Sequence, residues 1–554
     1  MTTVGRKRRA AFVTVLLISI TTWTFHYRRL LSWMQDATDH QDVTKPAFRI
    51  VLPKSKFNSV LTEQTVKTCL PKKPFIDRTT HPNNTKAVVL NRKALYHRGD
   101  VLTASVVARD KKGRPKTYGG DFFRARLVSS DRSLQTSSAG HVTDHCNGTY
   151  TVEFPLYWVG RVSIKIQLVH VSEAVAVLQR VREIPNKRVF YCTFYDSKTN
   201  TSETQRCYSS TNANIPHHQL CDFSKQEAKA TWICQKPEKN PCSTLGQCKF
   251  DADQSYKRAE DLLSKKENTL FKKPYLETEL ELVTKKPIRV LEKELPVIQH
   301  LPPCTGNTSS FEYWSGNVSK SSACNVRVFT RENTRRCLAN KTIYLHGDST
   351  MRQWYVRLQQ VVQLKGIARA WAAKSGGNKL SHDGGKYNTH WNISVHYRFH
   401  HFPFQIGHWD FFNNYRYLAD VLDEIQEGPN MVIAVGLWAH FTSEPLGMIR
   451  SRLYAIRGAI HRLLHRSPGT RVFVRTGTTR EHHAGRLAYY LIGSDWLAYQ
   501  VTEVIREVFR ADPGVVVLDT WDMSVCQPGS DSIHPDQAMV DSQLNIMLSH
   551  ICPT

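Results

Sequence analysis

Acidic residues are scarce: 48 Asp and Glu stand against 75 Lys and Arg, a formal charge of +27. So lopsided a balance implies anionic counterparts such as acidic glycans or lipid headgroups, or else a solvated basic surface. The cysteines that cluster at 192, 207, 221, 234, 242 and 248 contain no C-x-x-C pair, which excludes a zinc knuckle. No small-residue cleavage site follows the apolar run near the N-terminus, where Thr21 to Tyr27 is bulky and aromatic. No internal repeat is visible. What the chain does have is core material: 41% hydrophobic and 10% aromatic residues over 554 positions exclude wholesale disorder and suit two folded domains.

The basic block Arg6–Arg9 precedes an uncharged run, Ala10 to Phe25, close to the roughly 20 apolar residues that span a bilayer. Residues 1–9 are therefore expected as a cytosolic tail, 10–27 as an uncleaved signal-anchor and 28–65 as a stem. This gives a type II Golgi membrane protein with its bulk in the lumen, a cleaved and secreted form being the alternative. Sequons at Asn83, Asn147, Asn200, Asn307, Asn317, Asn340 and Asn392 agree with that compartment. Thirteen cysteines in an oxidising lumen imply disulfides with at least one thiol left over. A lumenal chain meets no nucleic acid.

From 66 to 190 short runs alternate, most clearly in "GTYTVEFPLYWVGRVSIKIQLVHV", where Tyr150, Val152 and Phe154, then Val162, Ile164, Ile166 and Leu168, take every second place. Such strands predict a β-sandwich. The cysteine-rich segment 191–250 follows, then a Lys/Glu-rich stretch, 251–300, expected as a charged linker between separate folding units. From 301 to 554 apolar strands ("KTIYLHGDS", "MVIAVGL", "RVFVRTG", "GVVVLDT") alternate with amphipathic helices, one carrying Leu446, Ile449, Leu453, Ile456, Ile460 and Leu463 on a single face. That pattern predicts an α/β/α domain with a parallel sheet, whose site lies outside the carboxyl ends of its strands.

Two motifs fall at such ends. Gly347-Asp348-Ser349 closes the first strand and opens a helix; "SDSIHPDQ" places Asp531 three residues before His534. A serine nucleophile needs a base and a group that orients the base, and these three residues supply the set. His400-His401 and His482-His483 have no convergent carboxylate, so no metal is expected. Trp354 and Trp371 suit a core better than a sugar platform, and His346, beside the GDS turn, fits packing as well as a site wall.

Resemblances accompany these motifs. "DHCNGTYTVEFPLYWVGRVSIKIQ" is similar to the filamin-type immunoglobulin repeat, and residues 66 to 250 resemble neurexophilin, which binds neurexin ectodomains. GDS after one strand with D-x-x-H after the last resembles the SGNH, or GDSL-like, hydrolases. The C-terminal part looks like the PC-esterase group, whose G-D-S-x-x-R-N matches Gly347, Asp348, Ser349, Arg352 and Gln353, with Gln for Asn. The whole resembles the neurexophilin and PC-esterase domain family.

One departure concerns the N-x-G-x-W of that group: here Ala434 precedes Gly436 and Trp438. A missing oxyanion donor costs about 2.7–4 kcal/mol. Replacements include the Ser349 N–H, Arg352, Asn413 and Asn414, with His440 as a site-wall candidate. The resemblance implies a lumenal glycan O-acyltransferase or esterase, transferring acetyl with sialic acid as a candidate acceptor and acetyl-CoA as a candidate donor, no cofactor being bound. The alternative is a neurexophilin-like, receptor-binding glycoprotein with an inactive esterase-like domain.

Overall fold

The alternating residues at the start of the folded part close a core between two sheet faces. In the computed structural model, Leu102, Ala104 and Val106 of strand Val101–Val107 and Tyr150, Val152 and Phe154 of Thr149–Pro155 are buried. The model describes residues 69–553 except 72–74, 91, 186, 211–214, 227–228, 284–286, 293–300, 307–310, 366–382, 403–405, 426–427, 429, 481–485 and 528–532. The expected tail, anchor and stem lie outside the described residues. Among those described, no helix is long and apolar enough to cross a membrane.

Strand Ser137–Asp144 pairs at one end with Thr149–Pro155 and at the other with Phe122–Ser129, so it carries the chain from one face to the other. Gly160–His170 continues beyond Phe122–Ser129. Each fully buried aliphatic or aromatic side chain here contributes about 1.5–3 kcal/mol.

The cysteine-rich segment supplies five strands of a six-stranded sheet, and Asp410–Phe411 adds the sixth. Cys192–Cys248 and Cys207–Cys234 bridge residues directly opposite one another on neighbouring strands, and Cys221–Cys242 closes a loop. With Cys69–Cys146, Cys304–Cys324 and Cys337–Cys552 this makes six disulfides, leaving Cys526 as a buried free thiol. Asn83, Asn147, Asn200, Asn317, Asn340 and Asn392 are exposed. Asn307 is outside the described residues.

The described residues between 251 and 292 are not a linker. Asp251 caps the helix Ala252–Asp261, Leu270 and Phe271 enter the sandwich core, and strands Leu276–Glu279 and Ile288–Leu291 pair with opposite ends of Gly160–His170. The Lys and Glu residues that suggested a solvated connector occupy the outward positions of elements whose apolar partners are few and spaced.

Nor do the sandwich and the sheet divide into two units: the described residues from 69 to 553 form one compact body. Strand Tyr313–Ser315 pairs with Ser137 and Ser138, and the Trp314 indole donates to the Met523 carbonyl at 2.9 Å. Tyr490, Leu491, Trp496 and Leu497 pack into the sandwich core. Two buried ion pairs cross the same boundary, Arg124 with Asp495 at 2.9 Å and Arg188 with Glu444 at 2.5 Å.

The C-terminal sheet holds β1 (Thr342–Gly347), followed by helix α1 (Ser349–Val362), then β2 (Asp383–Asn388), β3 (Ile393–Phe399) and β4 (Met431–Gly436). Helix α2 (Leu446–Arg466), β5 (Arg471–Arg475), α3 (Asp495–Phe509), β6 (Val515–Leu518) and α4 (Gln537–Ile551) complete it. The order is β2-β3-β1-β4-β5-β6, parallel throughout except for the edge strand β2. Every residue of β4 is buried, as a strand covered on both faces requires. All of the helix-face residues expected from 446 to 463 are buried.

Candidate active site

The site begins with two glycines placed back to back. A Cβ on Gly347 would lie 2.2 Å from the Gly436 carbonyl oxygen and 2.6 Å from Met351 Cγ, and one on Gly436 would meet the same Met351 side chain at 2.5 Å. Only glycine lets β1 and β4 end this close together with α1 lying across them.

Asp348 then turns the strand into the helix. It caps α1, accepting from the Thr350 N–H at 2.9 Å and from the Thr350 hydroxyl at 2.5 Å. Its other oxygen accepts from the N–H groups of Trp438 at 3.4 Å and Ala439 at 3.0 Å. One buried carboxylate thus ties the loop after β1 to the loop after β4. Burial pushes the Asp348 carboxyl up, but His440, Arg475, His400 and the Thr350 hydroxyl outweigh it and hold the group below its ordinary range. Arg475, at the end of β5, donates to the Thr350 hydroxyl and, at 3.2 Å, to Gln543, which also accepts the Trp354 indole N–H at 2.9 Å. Tyr397 donates its hydroxyl to the Asp348 carbonyl at 3.1 Å.

On this platform Ser349 is the first residue of α1 and is partly exposed. Its hydroxyl stands 2.8 Å from Nε2 of His534. The backbone N–H groups of Thr350, Met351 and Arg352 are taken by Asp348, whereas that of Ser349 has no acceptor among the described residues. An N–H at a helix start, beside a hydroxyl that contacts an imidazole, is well suited to receive a developing oxyanion. Gln353, one turn further along α1, donates its amide to the Pro535 carbonyl at 2.8 Å and so holds the loop that carries His534.

The other expected residues are distributed as follows. Asp531 lies outside the described residues. Gly347, Asp348 and Gly436 are at the site as its scaffold. Arg352 contributes a backbone bond to the Asp348 carbonyl at 3.2 Å. Trp438 is fully buried and its N–H faces Asp348, so it supports the site from beneath instead of contacting a substrate.

His440 stacks on His400 with ring centroids 4.7 Å apart. Asn413 and Asn414 sit in the short helix Phe412–Asn414, and Asn414 bonds to Asp410, on a strand that extends the cysteine-rich sheet. His346 and Trp354 are core residues, and Trp371 is outside the described residues. Thr350, Tyr397, Arg475 and Gln543 were not anticipated; a charged residue ending the apolar run "RVFVR" was the one available signal, since a buried guanidinium must find partners.

Residues 320–552 match the family model described as NXPE family member 4-like, C-terminal domain, and residues 58–271 match Neurexophilin. Among solved structures, invasin, a bacterial integrin-binding protein, aligns at 11% identity with a TM-score of 0.13, over 58% of this chain and 60% of that one. That likeness supports no conclusion. The two family matches lie side by side in the order that the sandwich and the GDS-bearing sheet take in the fold, and together they bear out the resemblance to the neurexophilin and PC-esterase domain family.

Proposed function

We propose that this chain is a serine-dependent O-acyltransferase or esterase whose substrates are glycan hydroxyls in the secretory lumen, held to the membrane by residues 10–27. The C-terminal part then belongs to the SGNH-like folds and the alternating N-terminal part to the immunoglobulin-like ones. The observation that carries the reading is the 2.8 Å contact between Ser349 Oγ and His534 Nε2, two side chains 185 residues apart in sequence. Such a contact has the geometry of a nucleophile with its base.

In the first half-reaction His534 takes the Ser349 proton as Oγ attacks the acyl carbonyl. The Ser349 N–H stabilises the oxyanion, and protonated His534 delivers its proton to the leaving group. Asp531 is assigned the orientation of the imidazole. In the second half-reaction a sugar hydroxyl or water attacks the acyl-serine. Acetyl is the acyl group we favour, with acetyl-CoA as donor.

A serine-directed fluorophosphonate tests the reading. Wild-type protein is expected to label at Ser349, with labelling abolished in Ser349→Ala and reduced about a thousandfold or more in His534→Ala. Labelling that persists in Ser349→Ala would overturn the acyl-enzyme. The neurexophilin match favours a second reading, a receptor-binding glycoprotein. That reading gains if correctly folded wild type neither labels nor turns over an aryl acetate.

A further inference from the structure

A cavity of about 20 Å³ lies where the chain after β3, the start of helix Leu418–Glu424, the loop after β4 and α2 come together. Leu437, Phe441 and Ile456 give it apolar walls, and three polar residues, His400, Tyr417 and Arg452, share in its lining. Each of the three is at most 6% exposed.

All three keep hydrogen-bonding capacity that the described residues do not fill. The Arg452 guanidinium lies over the Tyr417 ring, 4.9 Å from its centroid, yet it forms no hydrogen bond and no ion pair there. The Tyr417 hydroxyl and Nε2 of His400 likewise have no partner. Buried polar atoms are nearly always satisfied and buried charges nearly always paired, so three such groups around one cavity point to a bound species. Burial works against the Arg452 charge, and the carboxylate that supports it, Glu444, is already bonded to Arg188 at 2.5 Å. Two buried arginines therefore share one carboxylate. Asp420, on the helix that follows Tyr417, is taken by Lys225 at 2.7 Å.

Size and donor type narrow what the species is. One water needs roughly 10–15 Å³ of such space, so this cavity suits a single water or a monatomic ion and has no room for a sugar or a phosphate ester. Arg452 and Tyr417 present N–H and O–H donors, and Arg452 also carries the unmatched charge. A water would answer the donors alone, whereas an anion answers both. His400 adds a third donor in its Nε2–H tautomer, which gives up only the long 3.4 Å contact between Nδ1 and the Phe402 carbonyl.

We propose that this cavity is a halide site, in which a chloride ion accepts from Arg452, Tyr417 and His400 and balances the charge that Glu444 leaves over. The ion ties α2 and the helix Leu418–Glu424 to His400. That residue in turn donates its backbone N–H to the Gly347 carbonyl at 3.1 Å and stacks its ring on His440. The site is thus a structural anion site next to the platform of Ser349, and it stands independently of the acyl-enzyme reading.

The test uses the full chain in detergent and replaces sodium gluconate, whose anion is too large for the cavity, with sodium chloride at constant ionic strength. Chloride is expected to raise the thermal unfolding midpoint saturably, by about 2 °C or more, and bromide to do the same. Arg452→Met should abolish the dependence. Tyr417→Phe, which keeps the ring and removes one donor, should raise the half-saturating chloride concentration about tenfold. Crystals grown in sodium bromide should show an anomalous peak between Arg452, Tyr417 and His400. Equal midpoints in chloride and gluconate overturn the site, and so does a half-saturating concentration in Tyr417→Phe within twofold of wild type. A bromide crystal without that peak overturns it as well and leaves the cavity to water. None of these results bears on fluorophosphonate labelling of Ser349, which is read separately.

Discussion

The sandwich and the parallel sheet solve the same problem, a charge inside a core, in opposite ways. In the sandwich, fully buried Lys116 meets Glu173 at 2.8 Å, Asp121 at 3.7 Å and the Ser172 hydroxyl at 2.6 Å. There one cation is shared between two carboxylates and binds the loop before strand Phe122–Ser129 to the helix Ser172–Glu183. In the parallel sheet, Asp348 meets N–H groups at the ends of β1 and β4 and an arginine reached through Thr350. Its partners converge from three strand ends, and the residue next to it is Ser349. An antiparallel sandwich spreads its strand ends over two rims, whereas a parallel sheet gathers all its carboxyl ends on one. That concentration of loop N–H groups and side chains is where chemistry can be assembled.

The sharpest way to break the comparison is to remove the sandwich charge. Lys116→Met leaves Glu173 and Asp121 buried without their cation and is expected to cost about 3–5 kcal/mol of stability. Because Trp314, Arg124 and Arg188 fasten the two regions together, calorimetry should show one lowered transition for the whole body. Two separated transitions, with the C-terminal one unmoved, would show that the interlock is not cooperative.

Acid gives the next effect. Burial, with Arg398 and His396 nearby, pulls His346 down to about 3, and burial pulls His400 down to about 4. A histidine whose folded value lies below its unfolded value near 6.5 binds fewer protons in the folded state, so stability falls as pH drops below about 6.5. In the sandwich His170 behaves alike, pulled down to about 3 by burial. Each such group contributes a slope of about 1.4 kcal/mol per pH unit within that window. His346→Leu, which replaces a buried ring whose two nitrogens have no partner among the described residues, should reduce the slope of urea stability between pH 6 and 4.5 by about that amount. An unchanged slope would mean that His346 is not neutral in the folded state.

The smallest effect is the most local. Gln353→Leu removes the bond to the Pro535 carbonyl and should cost about 1 kcal/mol of stability. Through the His534 loop it should lower kcat more than KM, with Gln353→Asn recovering part of the loss. A change in KM alone would place Gln353 in substrate binding and not in positioning the base.

Much of the site was legible because its parts are local. Gly347-Asp348-Ser349 must do its work within three residues of backbone, and the apolar strand before it and the amphipathic helix after it announce where that turn falls. His534 was legible for the same reason, lying just ahead of the capped helix α4. The six disulfides were legible as a framework and not as pairs, since spacing along the chain does not reveal which strands lie opposite. The segment 251–300 was misread because its charges line the outside of strands whose partners lie far earlier in the chain, as Glu279 meets Lys165, 114 residues before it. Local composition carries no trace of such a pairing.

By itself the sequence determined the alternation of the sandwich strands, the continuous burial of the sheet strands, and the positions of Ser349 and His534, whose side chains meet in the fold. These follow from short-range stereochemistry, which the chain states wherever it is read. Tertiary structure alone decided which side chains share the buried space around them: that Arg475 reaches Thr350, that Gln353 holds the Pro535 carbonyl, and that the sandwich and the sheet are one body. Those relations depend on contacts across tens to hundreds of residues, and their energies exist only once the intervening chain has folded.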